Sequence, residues 1–84
     1  MGKTEELAEA RRIAFANRVR EVRTRAGLTQ KAAAQAAGLD RSFYAEVESG
    51  KHTIAVDRLY RVADALGTSI HDLIPADGEV EASR

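Results

Sequence analysis

Eighty-four residues carrying thirteen basic and thirteen acidic side chains are enough for one domain of zero formal charge. A domain of this size buries only roughly 60–65% of its unfolded surface, so its stability is modest and oligomerisation is one common supplement. The absence of cysteine excludes disulfides, thiolate catalysis and cysteine-based zinc sites, and no apolar run nears the roughly 18 residues of a membrane span.

The first residues, "MGKTEELAEARR", alternate charge and lack the apolar centre of a secretion signal, so the expectation is a soluble cytoplasmic protein. Thr4 is a candidate N-cap for the first helix, with Glu5 and Glu6 where the helix dipole favours acids. Phe15, Val19, Val22 and Ala26 then form one apolar stripe at helical spacing, and Gly27 ends it. Thr29 caps a second helix, "QKAAAQAA", stopped by Gly38. Asp40 caps a third, with Leu39 before the cap and Tyr44 in the first turn placed as a hydrophobic staple; Gly50 closes it. After "KHTIA", Val56, Leu59, Tyr60, Val62, Ala63 and Leu66 predict a fourth amphipathic helix ending at Gly67. Ser69 and Asp72 form a capping-box pattern opening a short fifth helix that Pro75 stops. The reading is an all-α, five-helix bundle: residues 1–14 extend the first helix, 15–75 form the domain, and 76–84 are an acidic, flexible tail.

Helices of about eight residues joined by "GLD" have the helix-turn-helix arrangement, whose second helix enters a DNA major groove. Zero net charge argues against nucleic acid until its distribution is considered. Residues 10–71 hold eleven bases and six acids, a net of +5, between acidic ends, and a field depends on placement rather than on the sum. With Tyr44 and Val47 turned inward, residues 41, 42, 45 and 46 point away from the core. Arg41 has the fork for guanine N7 and O6, Ser42 can donate or accept at a base edge, and Glu46 can accept from a cytosine amino group. Ala45 and the other small residues on that side let the backbone approach the groove floor. The first N–H groups of the second helix, with Gln30 and Lys31, suit phosphate.

"GLTQKAAAQAAGLDRSFYAEVESGK" followed by "RLYRVADALGTSIHDLI" resembles the Cro/CI-type (XRE family) helix-turn-helix domains over roughly residues 15–74. The carriers are Gly27-Leu28-Thr29-Gln30, Ala34, Gly38, Glu48 before Gly50, and Ala63 to Gly67 with Leu73. "LDRSF…VESGK" and the overall size are similar to restriction–modification controller proteins. The resemblance implies a transcriptional regulator that binds double-stranded operator or promoter DNA as a homodimer on a two-fold site. It implies base contacts from Arg41 and Ser42 with Ala45 and Glu46 beside them, and phosphate contacts from Gln30. Phe43 would flank the backbone, and Lys51 and His52 would lie near phosphates. Arg23 and Glu48 match a structural ion pair. Tyr60, Ile70, Leu73 and Ile74 are the apolar residues offered to a second copy.

Several departures from the family pattern stand out, among them Glu46, where many members carry a basic or amide residue. Ala33 occupies a usual leucine position and Tyr44 a usual isoleucine position, so the tyrosine ring is expected to fill the volume released at Ala33. The fourth helix lacks the frequent Pro-Ser start and is expected to begin without a side-chain cap. Arg18, Arg20 and Arg25 read as solvated. His52 and His71 are far apart, so no metal or other cofactor is expected. No paired carboxylates, nucleophile–base set or phosphate loop indicates an enzyme. The rival reading is a protein-interaction module of the same fold, an antitoxin or a coactivator.

Overall fold

The computed structural model describes residues 2–76. Five helices follow in chain order: α1 (Lys3–Arg25), α2 (Gln30–Ala37), α3 (Arg41–Glu48), α4 (Val56–Leu66) and α5 (Ile70–Leu73). The helix α1 runs unbroken through residue 14, and of the expected tail only Ala76 lies within the described residues.

Three alanines decide how the bundle closes. Ala33, Ala34 and Ala37 form one buried face of α2, and side chains this small bring α2 against both α3 and α4. The rest of the core is Val19 of α1, Tyr44 of α3, Leu59, Val62, Ala63 and Leu66 of α4, and Leu73 of α5. Tyr44 is the largest fully buried side chain and belongs to the same cluster as Ala33.

The connection that sets α3 against α2 is a closed local structure. Gly38 adopts φ +68°, a left-handed conformation that costs glycine no Cβ clash. The Leu39 N–H then bonds the Ala34 carbonyl at 2.9 Å and the Gly38 N–H bonds the Gln35 carbonyl at 3.1 Å, satisfying the last carbonyls of α2. Asp40 starts α3 at once, its Oδ2 accepting from the Phe43 N–H at 3.2 Å. Gly50, after α3, is also left-handed, and a Cβ there would lie 3.3 Å from Ile13 Cγ1. Arg12 Nε donates to the Gly50 carbonyl at 2.8 Å, so the N-terminal half of α1 grips the segment leaving α3.

Several expectations at helix ends and faces are corrected. Gly2, not Thr4, caps α1, and the Gly2 N–H donates to Glu5 Oε1 at 3.3 Å. The acid that favours the dipole also reaches back to the cap, so the helix starts a turn's fraction earlier. On the core face of α1, Ala16 and Val19 are buried while Ala26, the C-cap residue just past the helix, is exposed. Val56 and Tyr60 are exposed at 65% and 53%. Val56 is the first residue of α4, and Tyr60 lies about 100° around the helix from the buried Leu59. As expected, α4 starts without a side-chain cap. Ser69 does not accept from the backbone of α5; it and Thr68 donate to Asp72 Oδ2, at 3.4 and 2.7 Å. The bond from Thr68 above all holds the Asp72 carboxyl below the usual range. Arg18, expected to be solvated, donates to the Asp72 carbonyl at 3.0 Å and ties α1 to α5.

Candidate nucleic-acid interface

The inward side of α3 is held by hydrophobic burial and by one charged group. Tyr44 and Val47 are buried, and Glu48 is 2% exposed. A carboxylate that deep is tolerated only when its lone pairs are filled. Arg23 of α1 supplies a two-pronged contact, Nε to Oε2 at 2.6 Å and Nη2 to Oε1 at 3.0 Å. Its Nη1 also donates to the Leu28 carbonyl at 2.7 Å, holding the α1–α2 turn to the same guanidinium. Gln30, at the start of α2, donates from Nε2 to Glu48 Oε1 at 3.0 Å. Burial pushes the Glu48 carboxyl up, but Arg23 first, then the neighbouring Tyr44 hydroxyl and Gln30, outweigh it and hold it below the usual range.

The Tyr44 hydroxyl lies beside this pair, buried and without a hydrogen bond of ordinary geometry. Burial first, and then the Glu48 carboxylate, push its pKa far up, so it stays a neutral phenol. The Arg23–Glu48 pair thus joins α1, the α1–α2 turn, α2 and α3 at one point. It fixes the rotation of α3 and hence which residues face outward.

Those outward residues are the ones the spacing singles out. Arg41 and Ser42 are exposed, while Ala45 and Glu46 are partly exposed along the same side. Among the described residues Arg41 has no ion-pair partner, so its fork is unspent. At the start of α2, Thr29 Oγ1 accepts from the Ala32 N–H at 3.0 Å, and Lys31 is exposed beside it. Beyond α3, Lys51 and His52 are exposed. Gln30 is drawn inward: one of its two amide N–H donors goes to Glu48. A role at phosphate would fall to the rest of its amide.

Two features of this surface were not expected from the sequence. The His52 ring stacks on Phe43 with centroids 6.2 Å apart and planes 18° from parallel, and the Arg58 guanidinium lies 5.4 Å from the Phe43 centroid. His52 Nε2 also bonds Glu46 Oε1 at 3.1 Å. Arg61, one turn after Arg58, has its Nη1 beside the Gly38 turn. Both α4 arginines are exposed near the start of α3. Their i, i+3 spacing was the only available sign, and it does not say what they face.

The arrangement of α2, the glycine turn and α3 is matched by a family model described as helix-turn-helix, over residues 19–73. The chain belongs to the helix-turn-helix family. Among curated relatives of this helix-turn-helix chain, the control protein C.MunI from a Mycoplasma species is 29% identical over 63 residues. The match takes in 74% of this chain and 85% of the relative. Among solved structures, the restriction–modification controller protein C.AhdI from Aeromonas hydrophila is 35% identical with a TM-score of 0.72, covering 74% of this chain and 94% of that one. The clp gene regulator ClgR from C. glutamicum is 29% identical with a TM-score of 0.72, over 74% of this chain and 80% of that one. The family and these relatives make this helix-turn-helix protein a DNA-binding transcription regulator. They point to regulation rather than to enzymatic catalysis. Among the described residues no helix is long and apolar enough to cross a membrane.

Proposed function

We propose that the protein is a restriction–modification controller that binds a two-fold operator as a homodimer, with α3 in the major groove. The observation that carries this reading is the division of α3 into two sides: one tied down by Tyr44, Val47 and Glu48, the other presenting Arg41 and Ser42 unspent. Arg41 forks onto a guanine and Ser42 bonds the neighbouring base edge, while Ala45 gives clearance. Lys31 and Lys51, with the free part of the Gln30 amide, set register on phosphates. The resemblance to C.AhdI and C.MunI supports the controller role.

A single recognition helix covers too few base pairs for high specificity, which favours a pair of half-sites read by two copies. Tyr60 and Ile74 are large exposed apolar side chains, 53% and 47% exposed, and Ile70 is partly covered. These three are the surface proposed for the second copy. Leu73 is fully buried in the chain's own core and so has no area left for a partner. The test is selection of bound duplexes from a randomised pool, with the mass of the free protein measured by light scattering. The expected result is an inverted repeat bound by a dimer. Recovery of unrelated sequences, or a monomer at micromolar concentration, overturns the proposal.

A further inference from the structure

Glu46 is the one acid on the outward side of α3, a poor choice for a surface that approaches phosphates unless it has a specific donor to meet. Its surroundings show that it is restrained. Oε1 bonds His52 Nε2 at 3.1 Å; an ionised carboxylate only accepts, so Nε2 carries the proton. His52 is itself steadied by its stack on Phe43, and Phe43 by the Arg58 guanidinium. A chain of contacts therefore runs from α4 through Phe43 and His52 to one oxygen of Glu46. Among the described residues, the other oxygen, Oε2, has no hydrogen-bond partner.

Exposed ion pairs contribute little to stability, and both side chains here are about half exposed. The bond therefore has its main consequence in restricting where the carboxylate points. We propose that His52 is a positioning residue that orients Glu46 to accept from the exocyclic amino group of a cytosine, making Glu46 a specificity determinant within each half-site. The inference rests on the reading that α3 enters the major groove. A fixed carboxylate works in two directions there. It bonds the cytosine N4 amino group, and it repels the acceptors N7 and O6 of guanine and O4 of thymine. A freely rotating glutamate would swing away from those acceptors and lose much of the discrimination. In this role His52 is committed to the protein rather than to a phosphate.

The experiment uses the full chain. Duplexes are selected from a randomised pool by the wild type and by Glu46→Gln, His52→Ala and His52→Gln. Affinities are then measured by fluorescence anisotropy on the wild-type consensus and on its single-base-pair variants. The wild type is expected to prefer cytosine at one position per half-site by roughly tenfold or more. Glu46→Gln should reduce that preference to about threefold or less and leave the other positions unchanged. His52→Ala should do the same, whereas His52→Gln, which keeps an amide donor, should retain most of it. Both side chains are about half exposed, and thermal melts followed by circular dichroism confirm that each variant folds. An unchanged preference in Glu46→Gln overturns the role of Glu46. A changed preference in Glu46→Gln but not in His52→Ala overturns the positioning role. If His52→Ala weakens all duplexes alike and lowers the salt dependence, His52 is a phosphate contact and the inference is wrong. A wild-type selection without consensus removes sequence reading altogether, an outcome distinct from the others.

Discussion

Replacing Glu48 by glutamine tests the tie that sets the outward face of α3. The change keeps the shape and removes the charge that Arg23 faces across 2.6 and 3.0 Å, at a site where the side chains are only 11% and 1% exposed. Breaking a buried pair of this kind costs about 3–5 kcal/mol, because the remaining charge is stranded away from water. A folded domain of this length has a total stability of roughly 4–12 kcal/mol at about 0.05–0.15 kcal/mol per residue. The substitution should therefore remove about a quarter or more of that stability. It reads directly as a lower urea midpoint followed by circular dichroism; with a slope of about 1 kcal/mol per molar, the shift is several molar or complete unfolding. A companion double variant, Arg23→Met with Glu48→Leu, removes both charges and should recover much of the loss. A loss below about 1 kcal/mol in Glu48→Gln, the value of an exposed pair, would refute the reasoning. So would a double variant no more stable than the single one.

The same carboxylate gives a pH dependence of defined sign. Its folded pKa lies below the unfolded value of about 4.3, so its contribution is complete above that value and is lost as the pH falls through the folded pKa. The urea midpoint of the wild type should fall steadily below about pH 4.3, and an equally steep fall in Glu48→Gln would assign the effect to other groups. Tyr44→Ile should open a cavity between α2 and α3 and lower the melting temperature by roughly 5–15 °C, for a loss of about 1–2 kcal/mol. Tyr44→Phe should be close to neutral, since the buried hydroxyl makes no hydrogen bond of ordinary geometry; a clear loss in calorimetry would mean that its approach to Glu48 is a stabilising contact. Arg41→Ala should cost about 1–3 kcal/mol on the selected duplex and relax preference at one base pair. Equal loss on random DNA contradicts base reading. Lys51→Ala should weaken all duplexes alike and flatten the salt dependence by about one charge, measured as the slope of log affinity against log salt.

Almost all of the helical framework was legible in the residues. Gly38 and Gly67, the caps Thr29 and Asp40, and the stripe Leu59, Val62, Ala63, Leu66 act over three or four residues, a range within which backbone hydrogen bonds and periodicity decide the outcome. The Arg23–Glu48 pair was legible through the family resemblance, though twenty-five residues separate its members. The misjudged places were those where burial depends on how far a neighbouring element extends. Val56 and Ala26 fit their apolar stripes yet are exposed at a helix end, and Leu73 was offered to a partner while filling the chain's own core.

By itself, then, the sequence determined five helices, most of their ends and the side of α3 that faces outward, because these follow from local capping and from the need to bury Tyr44 and Val47. Only the tertiary structure decided what stands next to that side. Gln30 is turned toward Glu48, Arg58 reaches Phe43 from α4, and His52 folds back from the following segment onto both Phe43 and Glu46. Contacts between side chains from separate elements depend on the three-dimensional path of each connection, and no local pattern of residues encodes that path.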